Sequence, residues 1–180
     1  MILCATILGV TAAAVGAAPA NAARQDHRHQ DKIDRVLGTI ADFKHDDESM
    51  AQWFESSVGY AVFPSIGKGG LGIGGAHGTG VLFEDGEPIG ATDMKQITIG
   101  FQFGGQSFAE VIFFEDEIAL GNFKKGNFEL AAQASAVAVT LGAAAEANYE
   151  KGVAIFTRVN GGLMYEAAVG GQKFDYDPWN

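Results

Sequence analysis

Hydrophobic and polar positions follow two different periods, and the change falls near residue 60. Upstream, Ile33, Val36, Leu37, Ile40 and Ala41 recur at helical spacing, which predicts a helix from about Asp31 to Lys44, with room for an earlier start. Asp46, Asp47 and Ser49 are cap candidates for a second helix carrying Met50, Trp53 and Phe54, ended by Ser56, Ser57 and Gly59. From Tyr60 the period becomes two. YAVF is a short apolar run closed by Pro64, and QITIGFQF (Gln96 to Phe103) sets four apolar residues against Gln96, Thr98, Gly100 and Gln102, the pattern of a half-buried strand. SFAEVIFF (Ser107 to Phe114) is apolar on both faces except at Glu110 and reads as a central strand.

Turn signals join these runs. Glu84-Asp85-Gly86-Glu87 carries the Asp-Gly hairpin signal, and Asn160-Gly161-Gly162 joins GVAIFTR to LMYEAAV in the same way. Asp116 to Lys124 is a short helical candidate. Phe128 to Ala147 is ambiguous on composition: its alanines favour helix, while Phe128, Leu130, Ala132, Ala134 and Ala136 alternate with polar residues as in a strand.

GKGGLGIGGAHGTGVLF, from Gly67 to Phe83, holds eight glycines. Gly67, Gly69 and Gly72 match G-x-G-x-x-G, but no helix begins there to hold a pyrophosphate, and Gly69 follows Lys68 where a phosphate loop needs Ser or Thr. Read with period two, Gly70, Gly72, Gly74, Ala76, Gly78 and Gly80 form a nearly bare face. Such a face suits a strongly curved sheet that something approaches closely, whether backbone, helix or ligand. Lys68 and His77 stand at its rim.

Met1 to Ala18 is uncharged, apolar and alanine-rich, and Ala20 with Ala22 fit the small-residue rule for signal cleavage. Cleavage is expected after Ala22, leaving residues 23–180 as a single exported domain of the periplasm or cell envelope. No basic residue opens the leader, so an upstream start or an uncleaved anchor are the alternatives, and Pro19 argues against the anchor. Cys4 is the only cysteine, which removes disulfides, thiol catalysis and cysteine-bound zinc from the expected domain. A net charge of −10 makes nucleic acid an unexpected partner. The cations that exist are gathered: on a helix Arg24, Arg28, Lys32 and Arg35 fall near one line, diluted by Asp26, Asp31 and Asp34.

Other chemistry is thin. Gly105-Gln106-Ser107-Phe108-Ala109 approaches a nucleophile elbow but lacks its last glycine and the helix that should follow. His27 and His29 with Asp26 and Asp31 are spaced for a strand, not for a helical metal site, and read as a solvated tract. Glu110 and Glu166 sit in apolar strands; as a close buried pair they would be an acid/base candidate, and otherwise they face outward or pair with Lys68 or Arg158. No metal or cofactor is expected.

Four blocks in order, GYAVFPSIGKGGLGIGGAHGTGVLFE, IGFQFGGQSFAEVIFF, GNFELAAQASAVAV and GVAIFTRVNGGLMYEAAVGGQKFDYDP, closely resemble the SYLF-domain family, also known as an actin-regulator family after its yeast members. The resemblance spans about Asp31 to Pro178. It implies a lipid-binding domain: eukaryotic members bind phosphoinositides through a basic amphipathic N-terminal segment, yeast-type members also bind actin, and bacterial members resemble exported or lipoprotein forms. It also favours strand for Phe128 to Val139. The glycine block, Lys68, Glu110 and Glu166 lie inside matching motifs, whereas the segment holding Arg24, Arg28, Lys32 and Arg35 does not.

The expected molecule is therefore an α+β domain, with N-terminal helices packed on a curved, mostly antiparallel, glycine-rich sheet or partial barrel. Its expected role is non-catalytic binding of anionic phospholipid headgroups at an envelope membrane, with Arg24, Arg28, Lys32, Arg35, Lys68 and His77 as contacts and the face of Gly70, Gly72, Gly74, Gly78 and Gly80 as a groove. A scaffold or actin-binding-type module that docks a protein on the glycine face is the alternative, and a hydrolase using Glu110 and Glu166 a third.

Overall fold

The computed structural model describes residues 17–100, 106–126, 128–131, 135–161 and 169–179. Two compact units are distinguished, Met1–Asp31 and Lys32–Asn180. In the first, the described residues belong to helix α1 (Ala17–Asp46), and Ala23 to Arg28 are all exposed. The helix thus begins well before Asp31 and runs through the expected cleavage point at Ala22.

In the second unit, α1 buries Val36, Ile40 and Phe43, one stripe at spacings of four and three. Helix α2 (Met50–Ser56) adds buried Met50. Asp47, buried between the helices, accepts from Ser49 N (3.0 Å), Ser49 Oγ (2.6 Å) and the distant Ala144 N (2.8 Å). The sequence offered Asp47 as a cap; it also ties the helix corner to a 3-10 turn, η1 (Ala144–Glu146). Trp53 adds a second tie by donating to Ala144 O at 2.9 Å.

Strands β1 (Gly59–Glu84), β2 (Glu87–Gly100), β3 (Gln106–Phe114), β4 (Phe128–Glu129), β5 (Val137–Ala138), β6 (Val153–Gly161) and β7 (Lys173–Pro178) form one sheet in the order β4-β7-β2-β1-β3-β6-β5. Among the described residues, only the short β5–β6 pairing is parallel. Between β3 and β4, helix α3 (Glu117–Lys124) is capped by Asp116, whose carboxylate accepts from Ile118 N and Ala119 N. The Asp-Gly turn behaves as read: Asp85 and Gly86 both take positive φ, the geometry of a two-residue hairpin turn.

YAVF does not end at Pro64. β1 continues through it with a register shift between Phe63 and Ile66, a bulge that accommodates the missing N–H. β1 then doubles back on itself. Its first arm pairs with β3 and its second with β2. The arms lie side by side, since Asp85 N donates to Val58 O (3.4 Å) and Tyr60 stacks on Phe83 with ring centroids 5.0 Å apart.

This doubling explains part of the glycine run. A Cβ on Gly78 would lie 2.6 Å from Ile66 Cγ1, and one on Gly80 would overlap Val62 O and stand 2.8 Å from Phe63 Cδ1. The neighbouring arm of the same hairpin fills the bare face at these two positions.

Alternation along the strands divides the core between the two faces of the sheet. Ala61, Phe63, Leu82, Phe108, Ile112 and Phe114 share one cluster with Leu120 and Phe174. Tyr60, Val62, Val81, Phe83, Val111 and Phe113 share the other with Val36, Ile40 and Phe43 of α1. Each such ring or branched chain contributes about 1.5–3 kcal/mol of burial. Arg158 of β6 ties α1 down further, bridging Asp46 (2.6 Å) and Asp42 (3.4 Å).

The stretch after β4 is hydrogen-bonded toward both edges of the sheet. Leu130 N donates to Gln172 O (2.9 Å) beside β7, and Val139 N donates to Thr157 O (2.8 Å) on β6. One short segment thereby spans the two edges, which curls the sheet into a partial barrel. Strand is the correct reading for Phe128–Glu129 and Val137–Ala138, Ala132 to Ala134 lie outside the described residues, and beyond the expected strand a 3-10 turn occupies Ala144–Glu146.

Candidate functional site

Arg24 and Arg28 lie one helical turn apart in the first unit. Both are exposed, and Arg28 Nε donates to Arg24 O at 3.3 Å. Lys32 and Arg35 belong to the second unit, where with Val36 they border a small crevice against Pro64, Ser65 and Thr79 of β1. Asp26, His27, His29 and Asp31 fall on α1, where residues two apart face different ways. Among the described residues, no cluster of three or more His, Cys, Asp or Glu could hold a metal ion.

Of the other expected contacts, Gly80 lines the same crevice as Lys32 and Arg35, and Lys68 and His77 do not. His77 faces solvent on the second arm of β1, and its Nδ1 donates to Met94 O at 3.1 Å, which fixes the proton on Nδ1. Lys68 is half-buried at the end of the first arm, opposite Gln106, and desolvation draws its amine below the ordinary value. Gly70, Gly72 and Gly74 lie in β1 beyond the positions that Ile66 and Phe63 cover. Ser107, the elbow candidate, shares a 2.8 Å hydrogen bond with Ser65.

Glu110 is the sharpest departure from its expected environment. It faces neither solvent nor Lys68 nor Arg158. Its side chain is fully buried on the core face that holds Phe108 and Ile112, opposite Thr157 on β6. Gln172 Nε2 donates to Glu110 Oε2 at 3.1 Å, while Glu110 Oε1 and Gln172 Oε1 have no partner among the described residues. Burial pushes the carboxyl up to about 8, against the smaller lowering effect of the Gln172 bond. Glu110 is therefore held neutral at pH 7. Protonation suits the pair, since it turns one of two stranded acceptors into a donor. Glu166, its proposed acid/base companion, lies outside the described residues.

At Gln96 and Ile97, the residues of QITIGFQF whose burial is described, the faces are also reversed. Gln96 is buried at 5% exposure and donates to Gly170 O at 2.9 Å, while Ile97 is 82% exposed. The register aligns Gln96 with inward-facing Ala76, so Gln96 lines the interior. Gln96, Gln172 and Glu110 give the barrel a polar interior that alternation alone could not reveal. The usable signal was weak: a glutamate and two glutamines in otherwise apolar or glycine-rich strands.

Two comparisons bear on what such a molecule is. Residues 95–177 match the family described as Las17-binding protein actin regulator. Beta cell expansion factor A of Aeromonas veronii is 32% identical over 127 residues, which cover 69% of this chain and 48% of that protein. The chain thus spans about half the length of that relative. The family match takes in the end of β2, all of β3, α3 and the strands that follow, so it includes both Glu110 and Gln172. With the four sequence blocks in order, these matches show that the chain belongs to the SYLF family, the family of that actin-regulator description.

Proposed function

We propose that this chain is a non-catalytic domain that binds anionic phospholipid headgroups at an envelope membrane, using cations of α1. The observation that carries the reading is the exposed pair Arg24 and Arg28, a local concentration of positive charge on a chain whose net charge is −10. Lys32 and Arg35 add two further cations on the same helix. Among the described residues no helix is long and apolar enough to cross a membrane, so the contact proposed is a surface one. Each cation near an anionic surface contributes about 1 kcal/mol, and salt screens it.

Ile66 and Phe63 occupy the space a side chain on Gly78 or Gly80 would take, while Gly80 itself borders the crevice with Lys32 and Arg35. Export to the periplasm or cell envelope is part of the same proposal and rests on the apolar leader.

Protein docking is the second reading. It is favoured by one observation: the matched span, 95–177, carries an actin-regulator description and excludes every cation of α1. Co-sedimentation of the full chain with liposomes separates the two. Binding to anionic but not neutral vesicles, lost at high salt, is the expected result. Equal sedimentation with both, or with neither, removes the headgroup reading in favour of docking.

A further inference from the structure

The two edges of the sheet do not close completely. β5 pairs with β6 only at Phe156 and Thr157, and β4 with β7 only at Phe128 and Glu129. At this seam lies a cleft of about 590 Å³, within the range of small-molecule sites. Its accessible apolar lining is the half-buried Phe128, Val137 and Val153, with Leu130 and Ile155 buried behind them.

The rim has the opposite character to α1. Glu129, Glu146 and Glu150 stand around the mouth together with Lys151. Glu129 is engaged by Lys173 at 3.4 Å. Glu146 and Glu150, both exposed, leave the mouth negative.

We infer that the seam cleft is a binding site for one single-chain amphiphile with a cationic head, of the long-chain amine class. The alkyl chain lies along Phe128, Val137 and Val153, where it exchanges water for apolar contact. The ammonium sits between Glu146 and Glu150. Sulfate, phosphate and carboxylate heads are repelled by the same carboxylates. This is a second site with a charge preference opposite to that of α1, and it does not depend on the headgroup proposal.

The test is calorimetric titration of the full chain with decyltrimethylammonium and with decyl sulfate, each below its micelle concentration. The expected result is saturable one-to-one binding of the ammonium, on the order of tenfold tighter than the sulfate. Glu146→Lys with Glu150→Lys should reverse that order. Ala131→Trp, an exposed position on the lip, should abolish binding to the cleft, and Ser135→Trp repeats this test if the first variant does not fold. No saturable binding of the ammonium overturns the inference. So does an unchanged order in the double lysine variant, or full-strength binding when the lip is blocked. Vesicle binding through α1 should be unaltered by either tryptophan, so failure at one site is distinguishable from failure at the other.

Discussion

Gln172 donates to Glu110 across 3.1 Å of sheet interior where neither side chain meets solvent. The glutamate titrates near 4.5 in its ordinary state and near 8 in the fold, because burial disfavours its charged form. Between those values the folded chain holds a proton that the unfolded chain has released. Stability should therefore fall as pH rises from about 4.5 to about 8, then level off. Glu110→Gln removes this dependence and keeps a side chain that Gln172 can pair with. Urea melts of the two proteins should nearly coincide at the acid end and diverge as pH rises, the variant more stable by a few kcal/mol, as an order of magnitude, near pH 8. A gap that does not change with pH would show that Glu110 is ionised in the fold.

Asp47 has the opposite sign. Burial alone would raise its carboxyl, but hydrogen bonds from the Ser49 side chain and the Ala144 N–H outweigh burial and hold it below 3.8. Its contribution is present above that value and is lost as pH falls through the depressed one. Asp47→Ala strands the Ala144 N–H and should cost about 1–3 kcal/mol at pH 7. Thermal or urea melts at pH 7 and pH 3 check this, and the deficit should shrink at the lower pH.

Elements were legible in the sequence wherever the pattern was local. The helical stripe of Val36 and Ile40, the short helix before Lys124 and the Asp-Gly turn each draw on residues a few positions apart. The sense of a strand was not local. Gln96 and Ile97 alternate as read, yet which of them points inward is fixed by the pairing with Ala76 and by Gly170, 74 residues away from Gln96. Pro64 read as a terminator because a bulge that tolerates it depends on the partner strand. Glu110 was singled out correctly as an anomaly, but its partner Gln172 lies 62 residues on, in a stretch with no other signal. Nothing in the residues of the seam cleft marks them as a cavity; the segment after β4 brings them together only when the sheet curls.

The glycine hairpin makes a contrast that needs two variants. Gly80→Ala places a methyl against Val62 O and Phe63 Cδ1, and backbone on both arms must shift to admit it. Overpacking of this kind costs roughly 1–3 kcal/mol. Gly69→Ala, in the same strand, meets nothing within 4 Å and has no φ requirement, so its effect should stay within about 0.5 kcal/mol. Parallel urea melts read both. Equal destabilisation would show that glycine at these positions serves backbone conformation in the strand and not the close approach of Phe63.

The headgroup proposal is most exposed to test at Arg24 and Arg28, because neither is needed for the buried core. Arg24→Glu with Arg28→Glu replaces two attractive charges by two repulsive ones on the outer face of α1. At about 1 kcal/mol for each cation, binding to anionic vesicles at low salt should fall by roughly ten- to a hundredfold. Circular dichroism and melting temperature should not move, since no buried contact is lost. The salt dependence should weaken at the same time, because fewer counterions are displaced when fewer cations engage the surface. Glu110→Gln, changed in the interior alone, should bind vesicles as the unmodified chain does. If the double glutamate variant keeps full affinity and full salt dependence, the attraction lies elsewhere on the chain and the α1 cations are ordinary solvated charges.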